Sequence, residues 1–239
     1  MTSAPAPGPA APPVLAATGL TKTYGTSTAL AGVDFRVAPG ESVAIMGASG
    51  SGKTTLLHCL AGIVAPDGGS VVLATPQGPL EVTGLNEAGR SRLRREAFGF
   101  VFQQGLLLPE LTAVENVALP LMLTGTERSA AEQTAAMWLA ALGLAGLESR
   151  RIGQLSGGQA QRVAIARAQT TGAAVVFADE PTGALDSVTS AEVMDALIRS
   201  TTDRGRSVVV VTHDETVAAR CSRVLRLADG RIVDVVSAR

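Results

Sequence analysis

The sequence predicts an α/β fold: a mostly parallel β-sheet with helices on both faces, an N-terminal antiparallel β region and an inserted helical lobe. The runs AAVVFADE and SVVVVTHD are apolar without alternation, which is typical of strands buried on both faces. A helical pattern over about 190–200 separates them, and this alternation of strand and helix favours a doubly wound core. Mostly helical periodicity up to about residue 168 predicts the lobe, over about 86–168.

The remaining elements follow from local patterns. Residues 14–24 and 28–37 are predicted as strands separated by a polar turn, and the first has the character of an edge strand. The run VLRLADGRIVDVV predicts a hairpin that turns at Asp229-Gly230. Residues 1–13, rich in Pro and Ala, predict a disordered tail before a single domain over 14–239.

Composition limits the classes of function. The 20 Lys and Arg residues are balanced by 21 Asp and Glu, and the net charge of −1 argues against a general nucleic-acid binder. No run approaches the roughly 18 apolar residues needed to span a bilayer. A role at a membrane would therefore require a separate membrane partner.

The stretch GASGSGKTT matches G-x-x-x-x-G-K-[ST] between the apolar run ESVAIMG and the helical run TTLLHCLAGI. This context predicts a loop whose backbone N–H groups surround phosphate, with Lys53 at the β- and γ-phosphates and Thr54 on Mg²⁺. Gly50 and Gly52 are expected to let the backbone approach the anion without a Cβ clash. The loop residues predicted to bind nucleotide are Gly47, Ser49, Gly50, Ser51, Gly52, Lys53, Thr54 and Thr55.

Two further strand ends carry candidate catalytic groups. Asp179 and Glu180 follow a buried strand, at the edge where open α/β sheets bind ligands. Asp179 is predicted to hold Mg²⁺, and Glu180 to orient and deprotonate the attacking water. His213 lies at the end of the next apolar run, and we expect it to contact the γ-phosphate.

A second candidate anion site lies in QLSGGQAQRVAIARA. Ser156, Gly157 and Gly158 expose backbone N–H groups at a predicted helix start, and Gln159 would complete a capping box with Ser156. One chain has no evident need of two phosphate sites, whereas a second copy of the molecule could use this loop. If two chains face head to tail, the loop of each would close over the other's nucleotide.

The motif LSGGQ, between GASGSGKTT and ADEPTGALD, resembles the signature loop of the ATP-binding cassette (ABC) ATPases, and the resemblance extends from about residue 14 to the C-terminus. It implies ATP hydrolysis with Mg²⁺ in an ATP-dependent head-to-tail homodimer, with Ser156–Gln159 on the partner's nucleotide. It further implies that Tyr24 stacks on adenine, that Gln103 senses Mg²⁺ or the attacking water, and that Asp186 lies in a loop between subunits. His213 corresponds to the family's switch histidine.

The phrases GFVFQQGLLLPELTAVENVALPLMLTG and FADEPTGALDS are similar to the ATPases of the macrolide-export, lipoprotein-release and antimicrobial-peptide group. This implies a subunit that drives a separately encoded permease, as an exporter, from the cytoplasmic face of the membrane. Residues 106–123 are then the expected coupling surface. Two alternatives stay open: an ATP-dependent regulatory module in sensing or cell division, and a machine of the same superfamily acting on DNA or ribosomes.

Overall fold

The computed structural model describes residues 12–103 and 105–237, so the predicted tail over 1–13 falls almost entirely outside the described residues. The strands are β1 (Leu15–Tyr24), β2 (Ser27–Val37), β3 (Ser42–Met46), β4 (Gly68–Thr75), β5 (Gly78–Glu81), β6 (Phe98–Phe102), β7 (Val175–Asp179), β8 (Ser207–Val211), β9 (Arg223–Ala228) and β10 (Arg231–Ser237). The helices are α1 (Lys53–Leu60), α2 (Glu87–Glu96), α3 (Ala113–Leu123), α4 (Arg128–Ala141), α5 (Gly157–Gln169), α6 (Ser187–Thr202) and α7 (Glu215–Ala218), with a 3₁₀ turn at Ile152–Gln154.

The main sheet has six strands in the order β10-β9-β3-β8-β7-β6, and all neighbours pair in parallel except β10 with β9. This confirms the predicted mostly parallel core. The central strands lack apolar–polar alternation because their residues alternate between two hydrophobic cores, one on each face. One core receives Ala44, Val176, Ala178, Val208 and Val210, and the other Val43, Ile45, Phe177, Val209 and Val211.

A second, antiparallel sheet has the order β2-β1-β4-β5. The prediction that the first strand is an edge strand is wrong, because β4 pairs with the side of β1 opposite to β2. The β4–β5 hairpin was not predicted from the sequence. Its pairing with β1 buries Leu15 opposite Leu73 against the main sheet's core.

The predicted helical lobe, 86–168, contains α2, α3, α4 and most of α5, but also one strand of the main sheet. Residues 98–102 form β6, which pairs with β7 over its whole length, so the lobe is not purely helical. The apolar sequence FGFVF suits either a buried helix or a strand, and only the available sheet edge decides between them. As expected, α4 ends just before Gly143, which has a φ of 73°.

The hairpin predicted at Asp229-Gly230 is confirmed, with φ values of 47° and 69° at the two turn residues. This turn reaches across to the phosphate-binding loop. The Gly230 N–H donates to Ser51 O at 3.2 Å, and Gly230 O accepts from Ala31 N–H at 2.9 Å. The C-terminal hairpin therefore holds the loop and β2 together. Within 12–103 and 105–237, none of the helices has both the length and the apolar character to cross a bilayer.

The segment between β6 and α3 is organised by Asn116, a fully buried polar side chain. Its Oδ1 accepts from Leu108 N–H at 2.8 Å, and its Nδ2 donates to Leu108 O and Thr112 O, both at 3.0 Å. This buried amide ties Leu108 to α3, and it accepts the one hydrogen bond that Leu108 N–H donates among the described residues.

We expect Asn116→Ala to lower the free energy of unfolding by about 2 kcal/mol or more, since it removes a fully buried side chain, leaves a cavity and deprives Leu108 N–H of its hydrogen bond. Urea unfolding followed by circular dichroism measures the change. Gln133→Ala, at an exposed position of α4, is the control and should change stability by less than about 0.5 kcal/mol. Equal losses in the two variants would contradict the role assigned to Asn116.

Candidate functional site

The phosphate-binding loop connects β3 to α1. Gly52 is the N-cap of α1 with a φ of 103° and provides no side-chain cap, so the first N–H groups of the helix stay available to an anion. A cavity of about 570 Å³ lies over the loop. Its lining consists of Ala29, Gly47, Ala48, Ser49, Gly50, Gly52, Lys53, Thr54, Thr55, Glu180 and His213.

Two polar groups in this loop are arranged for an anion. Lys53 is mostly buried, and its Nζ donates to Gly47 O at 2.9 Å and Ala48 O at 2.8 Å. Ser51 does not line the cavity but lies buried beneath it, and its Oγ has no hydrogen-bond partner among the described residues. A buried ammonium with only carbonyl partners, beside an orphaned hydroxyl, fits a site for phosphate.

The glycines of the loop serve two different purposes. A Cβ on Gly47 would lie 2.2 Å from Leu227 O, and one on Gly52 would lie 2.2 Å from Ala29 O. These glycines therefore let the loop approach the backbones of β9 and β2. For Gly52 this differs from the expectation that the missing Cβ makes room for phosphate. Gly50 has a φ of 79° and open space around it, so it is the glycine that keeps the cavity face clear.

The predicted metal ligands share a second cavity of about 290 Å³, lined by Thr54, Phe102, Gln103, Leu106, Asp179 and Glu180. Thr54 Oγ1 donates to Asp179 Oδ1 at 3.4 Å. Burial raises the pKa of Asp179, and a bound cation would oppose this shift by favouring the ionised carboxylate. A hydroxyl, a carboxylate and an amide oxygen are donors that suit Mg²⁺ together with phosphate oxygens.

Glu180 and His213 meet between the two strand ends. Glu180 N–H donates to Val211 O at 2.9 Å, and its φ of 47° is a rare backbone conformation for a side-chain-bearing residue, of the kind found at functional sites. His213 Nδ1 lies 2.8 Å from Glu180 Oε1. An ionised Glu180 can only accept, so Nδ1 is then the donor. Nε2 is then an acceptor in a neutral ring, and it donates to a phosphate only when both ring nitrogens carry a proton. The sequence did not predict this pair.

The loop of Gln103 is held by α5, a feature that sequence reasoning missed. Gln161 Nε2 donates to Phe102 O at 3.0 Å, and Arg167 donates to Gly105 O at 2.6 Å and to Leu106 O at 2.7 Å. Burial lowers the pKa of Arg167. The partners are about 60 residues apart in the chain, so no local pattern could have indicated these contacts.

Tyr24 and Asp186, like Ser51, lie outside the lining of these cavities. Tyr24 is half-exposed at the end of β1, with Lys22 Nζ 5.5 Å from its ring centroid. It lies beside the turn into β2, the strand that contributes Ala29 to the lining of the phosphate cavity. Asp186 is the exposed N-cap of α6, and it accepts from Val188 N–H and Thr189 N–H at 3.0 Å each.

The signature loop forms the predicted capping box. Ser156 N–H donates to Gln159 Oε1 at 2.9 Å, and Gln159 N–H donates to Ser156 Oγ at 3.3 Å. Ser156 and Gly157 are exposed, and Ser156–Gln159 contribute nothing to the lining of either cavity. The second candidate anion-binding loop is therefore not part of the lining of the chain's own phosphate cavity.

Comparisons with known proteins agree with this geometry. The family model described as ABC transporter matches residues 30–183. The lipoprotein-releasing system ATP-binding protein LolD of Hyphomonas neptunium is 42% identical over 94% of this chain and 98% of its own length. The macrolide export ATP-binding/permease protein MacB of Rhodopseudomonas palustris is 48% identical over 87% of this chain but only 31% of its own length.

Solved structures are similar over the whole domain. The dimeric bacterial ABC transporter cassette MJ0796 is 38% identical with a TM-score of 0.84, covering 94% of this chain and 99% of that one. A post-hydrolysis dimer of MJ0796 bound to ADP and Pi is 37% identical with the same TM-score of 0.84 and the same coverage, 94% and 99%. The family match, the LolD relative and the phosphate site together show that this chain belongs to the ABC transporter family, as a cassette that binds and hydrolyses ATP with Mg²⁺.

Proposed function

We propose that this chain is the ATP-hydrolysing subunit of an exporter, drives a separately encoded permease, and works as a head-to-tail homodimer. The observation that carries the proposal is the exposed signature loop, capped and ordered but outside the chain's own phosphate cavity. A capped helix start with exposed N–H groups suits the nucleotide of a second copy. The two structures of the similar cassette MJ0796, both described as dimeric, support a dimer.

In this proposal each ATP site combines two halves. Lys53 and the amides of the loop bind the phosphates, while Thr54, Asp179 and Gln103 hold Mg²⁺, which neutralises the charge that develops on the phosphoryl group. Glu180 orients the attacking water and accepts its proton, and His213, protonated at both ring nitrogens, donates from Nε2 to the γ-phosphate. Tyr24 stacks on the adenine. Ser156–Gln159 and Asp186 of the partner complete the site.

Work comes from the difference in ATP affinity between the closed and the open dimer. ATP contacts both chains only when they are closed, so ATP binding favours closure. Hydrolysis and phosphate release remove the γ-phosphate contacts, and the dimer reopens. The dimer would thereby convert the change from ATP to ADP into a movement of the two chains relative to each other.

The expected coupling surface over residues 106–123 has the properties of a docking site. Leu106 and Leu123 are 60% and 64% exposed, and Leu108 and Met122 are also exposed. Leu119, Pro120 and Leu123 border a groove of about 260 Å³ whose other wall includes Arg94, Arg95 and Arg167. An exposed apolar patch with a basic rim suits a segment of a membrane protein.

The names and lengths of the relatives bear on whether the permease is a separate chain. LolD is named as the ATP-binding protein of a lipoprotein-releasing system, and MacB as an ATP-binding and permease protein for macrolide export. The similarity to LolD over 98% of its length supports a cassette whose permease is a separate chain. We therefore propose a location at the cytoplasmic face of the membrane, held there by the permease.

We expect Lys53→Ala to abolish tight ATP binding or hydrolysis, because it removes a charge-assisted contact to the β- and γ-phosphates. Binding of a fluorescent ATP analogue and release of phosphate measure the two effects, and thermal unfolding checks that the variant is folded. Near-normal turnover in a folded Lys53→Ala protein would overturn the assignment of the loop.

We expect Gly157→Asp to spare ATP binding by a single chain but to abolish hydrolysis, because its carboxylate would repel the partner's γ-phosphate. Gly157→Asn has the same shape without the charge and should keep more activity. Mixing Lys53→Ala with Gly157→Asp chains should restore ATPase activity that neither has alone, since one site of the mixed dimer then combines two intact halves. If Gly157→Asp instead loses ATP affinity as a monomer, the loop acts within its own chain and the shared-site proposal fails.

The coupling surface is tested in the assembled transporter, with the permease candidate encoded beside this chain reconstituted in lipid nanodiscs. Leu123→Lys should abolish the co-purification of cassette and permease, because an ammonium in an apolar contact loses its hydration and the neighbouring arginines offer it no counter-charge. Met137→Lys, at a similarly exposed position on α4, should co-purify as the wild type does. Equal behaviour of the two variants would contradict the assignment of residues 106–123.

A further inference from the structure

The two glycines of the signature loop have different surroundings. Gly157 is exposed, whereas Gly158 is buried against α6. A Cβ on Gly158 would lie 2.4 Å from Thr189 Cγ2, a distance that requires the neighbouring side chain or the helix to move. The sequence alone suggested that both glycines serve the nucleotide, but the geometry at Gly158 is explained by Thr189.

Thr189 cannot easily move away. Its Oγ1 donates to Asp186 Oδ2 at 2.7 Å, and its N–H donates to Asp186 Oδ1 at 3.0 Å. Because Thr is branched at Cβ, rotation of χ1 that withdraws the methyl group also withdraws the hydroxyl from Asp186. One side chain thus contacts Gly158 of the signature loop with its methyl group and Asp186 with its hydroxyl.

The rest of the α5–α6 interface keeps the two helices in register. Arg162 and Glu192 form an ion pair with an N–O distance of 3.6 Å. Near the C-terminal ends, the fully buried Gln169 donates from Nε2 to Thr201 Oγ1 at 2.6 Å and to Ser200 Oγ at 3.2 Å. Buried amide–hydroxyl bonds of this kind resist sliding, because a shift would leave polar groups unsatisfied.

We propose that Thr189 is a positioning residue that locks the signature loop to Asp186, so that both segments reach the partner's nucleotide as one unit. Gly158 is glycine to admit the Thr189 methyl group, while the backbone of Ser156–Gln159 as a whole remains the segment assigned to the partner's nucleotide. The proposal rests on the shared ATP site proposed above. It assigns no contact with nucleotide to Thr189 itself.

The test is a set of four variants: Gly158→Ala, Thr189→Ser, their combination, and Gly153→Ala as the matched control. Gly153 precedes the loop and has open space where a Cβ would stand, with no positive φ. Gly158→Ala should lower kcat about tenfold or more, since small displacements of positioned groups are costly, with unchanged ATP affinity of the single chain. Gly153→Ala should have wild-type turnover.

The combined variant tests whether the Thr189 methyl group is the group that a Cβ at position 158 displaces. Thr189→Ser keeps the hydroxyl on Asp186 but removes the methyl group that a Cβ at position 158 would meet, so Gly158→Ala/Thr189→Ser should recover to within about threefold of Thr189→Ser alone. A fifth variant, Thr189→Val, keeps the shape without the hydroxyl, and should lower kcat without changing ATP affinity. Wild-type turnover in Gly158→Ala, or no recovery in the combined variant, would overturn the proposal.

The same measurements separate this proposal from the shared site on which it rests. Recovery of Gly158→Ala by Thr189→Ser, together with restored activity in the Lys53→Ala and Gly157→Asp mixture, supports both. Restored activity in the mixture without recovery in the combined variant overturns the role of Thr189 and leaves the shared site standing. Recovery without restored activity overturns the shared site, and with it the reason for linking the two segments.

Discussion

The parallel register of β3, β8, β7 and β6 is the constraint on which the whole site depends. Ile45 lies opposite Val211, Val211 opposite Asp179, and Asp179 opposite Phe102, so the four strands end at one edge. Each strand continues into a functional segment there: the phosphate loop, His213, Glu180 and Gln103. Chemistry that needs a cation, a base and a phosphate contact within a few ångströms is thus assembled by backbone hydrogen bonds deep in the sheet.

Backbone contacts around this edge hold the phosphate loop. Gly47 lies against the carbonyl of Leu227 and Gly52 against that of Ala29, while the turn at Gly230 bonds to Ser51 O. The antiparallel parts of the molecule therefore have a role beyond covering the core. They hold the phosphate loop in the position that the parallel sheet gives it, so the amides of the loop need not reorganise when an anion binds.

The α5–α6 pair divides the molecule into two half-sites. Within one chain, the cavity edge holds the groups proposed to bind and activate ATP, whereas the capped signature loop and Asp186 are exposed outside the lining of that cavity. At the other end, Arg167 of α5 binds the loop that leads to the exposed leucines over 106–123. One helix thus contacts both the loop proposed to meet a partner cassette and the loop proposed to meet a permease.

The sequence alone determined the features that depend on neighbouring residues. The phosphate loop, the acidic pair at 179–180, the capping box at Ser156 and the turn at Asp229-Gly230 each follow from backbone preferences and hydrogen bonds within a few positions. The two apolar runs determined the parallel sheet, since strands buried on both faces need no alternation. Further roles, such as those of Tyr24 and Gln103, came only from resemblance to a family.

The tertiary structure alone decided which distant groups meet. It places β1 inside the antiparallel sheet, β6 at the edge of the main sheet, Glu180 beside His213, and Gly158 against Thr189. These contacts join residues about 30 positions apart or more, and their distances are set by how closely helices and sheets pack. Periodicity tells which face of an element is buried, but not which atom of another element that face will touch.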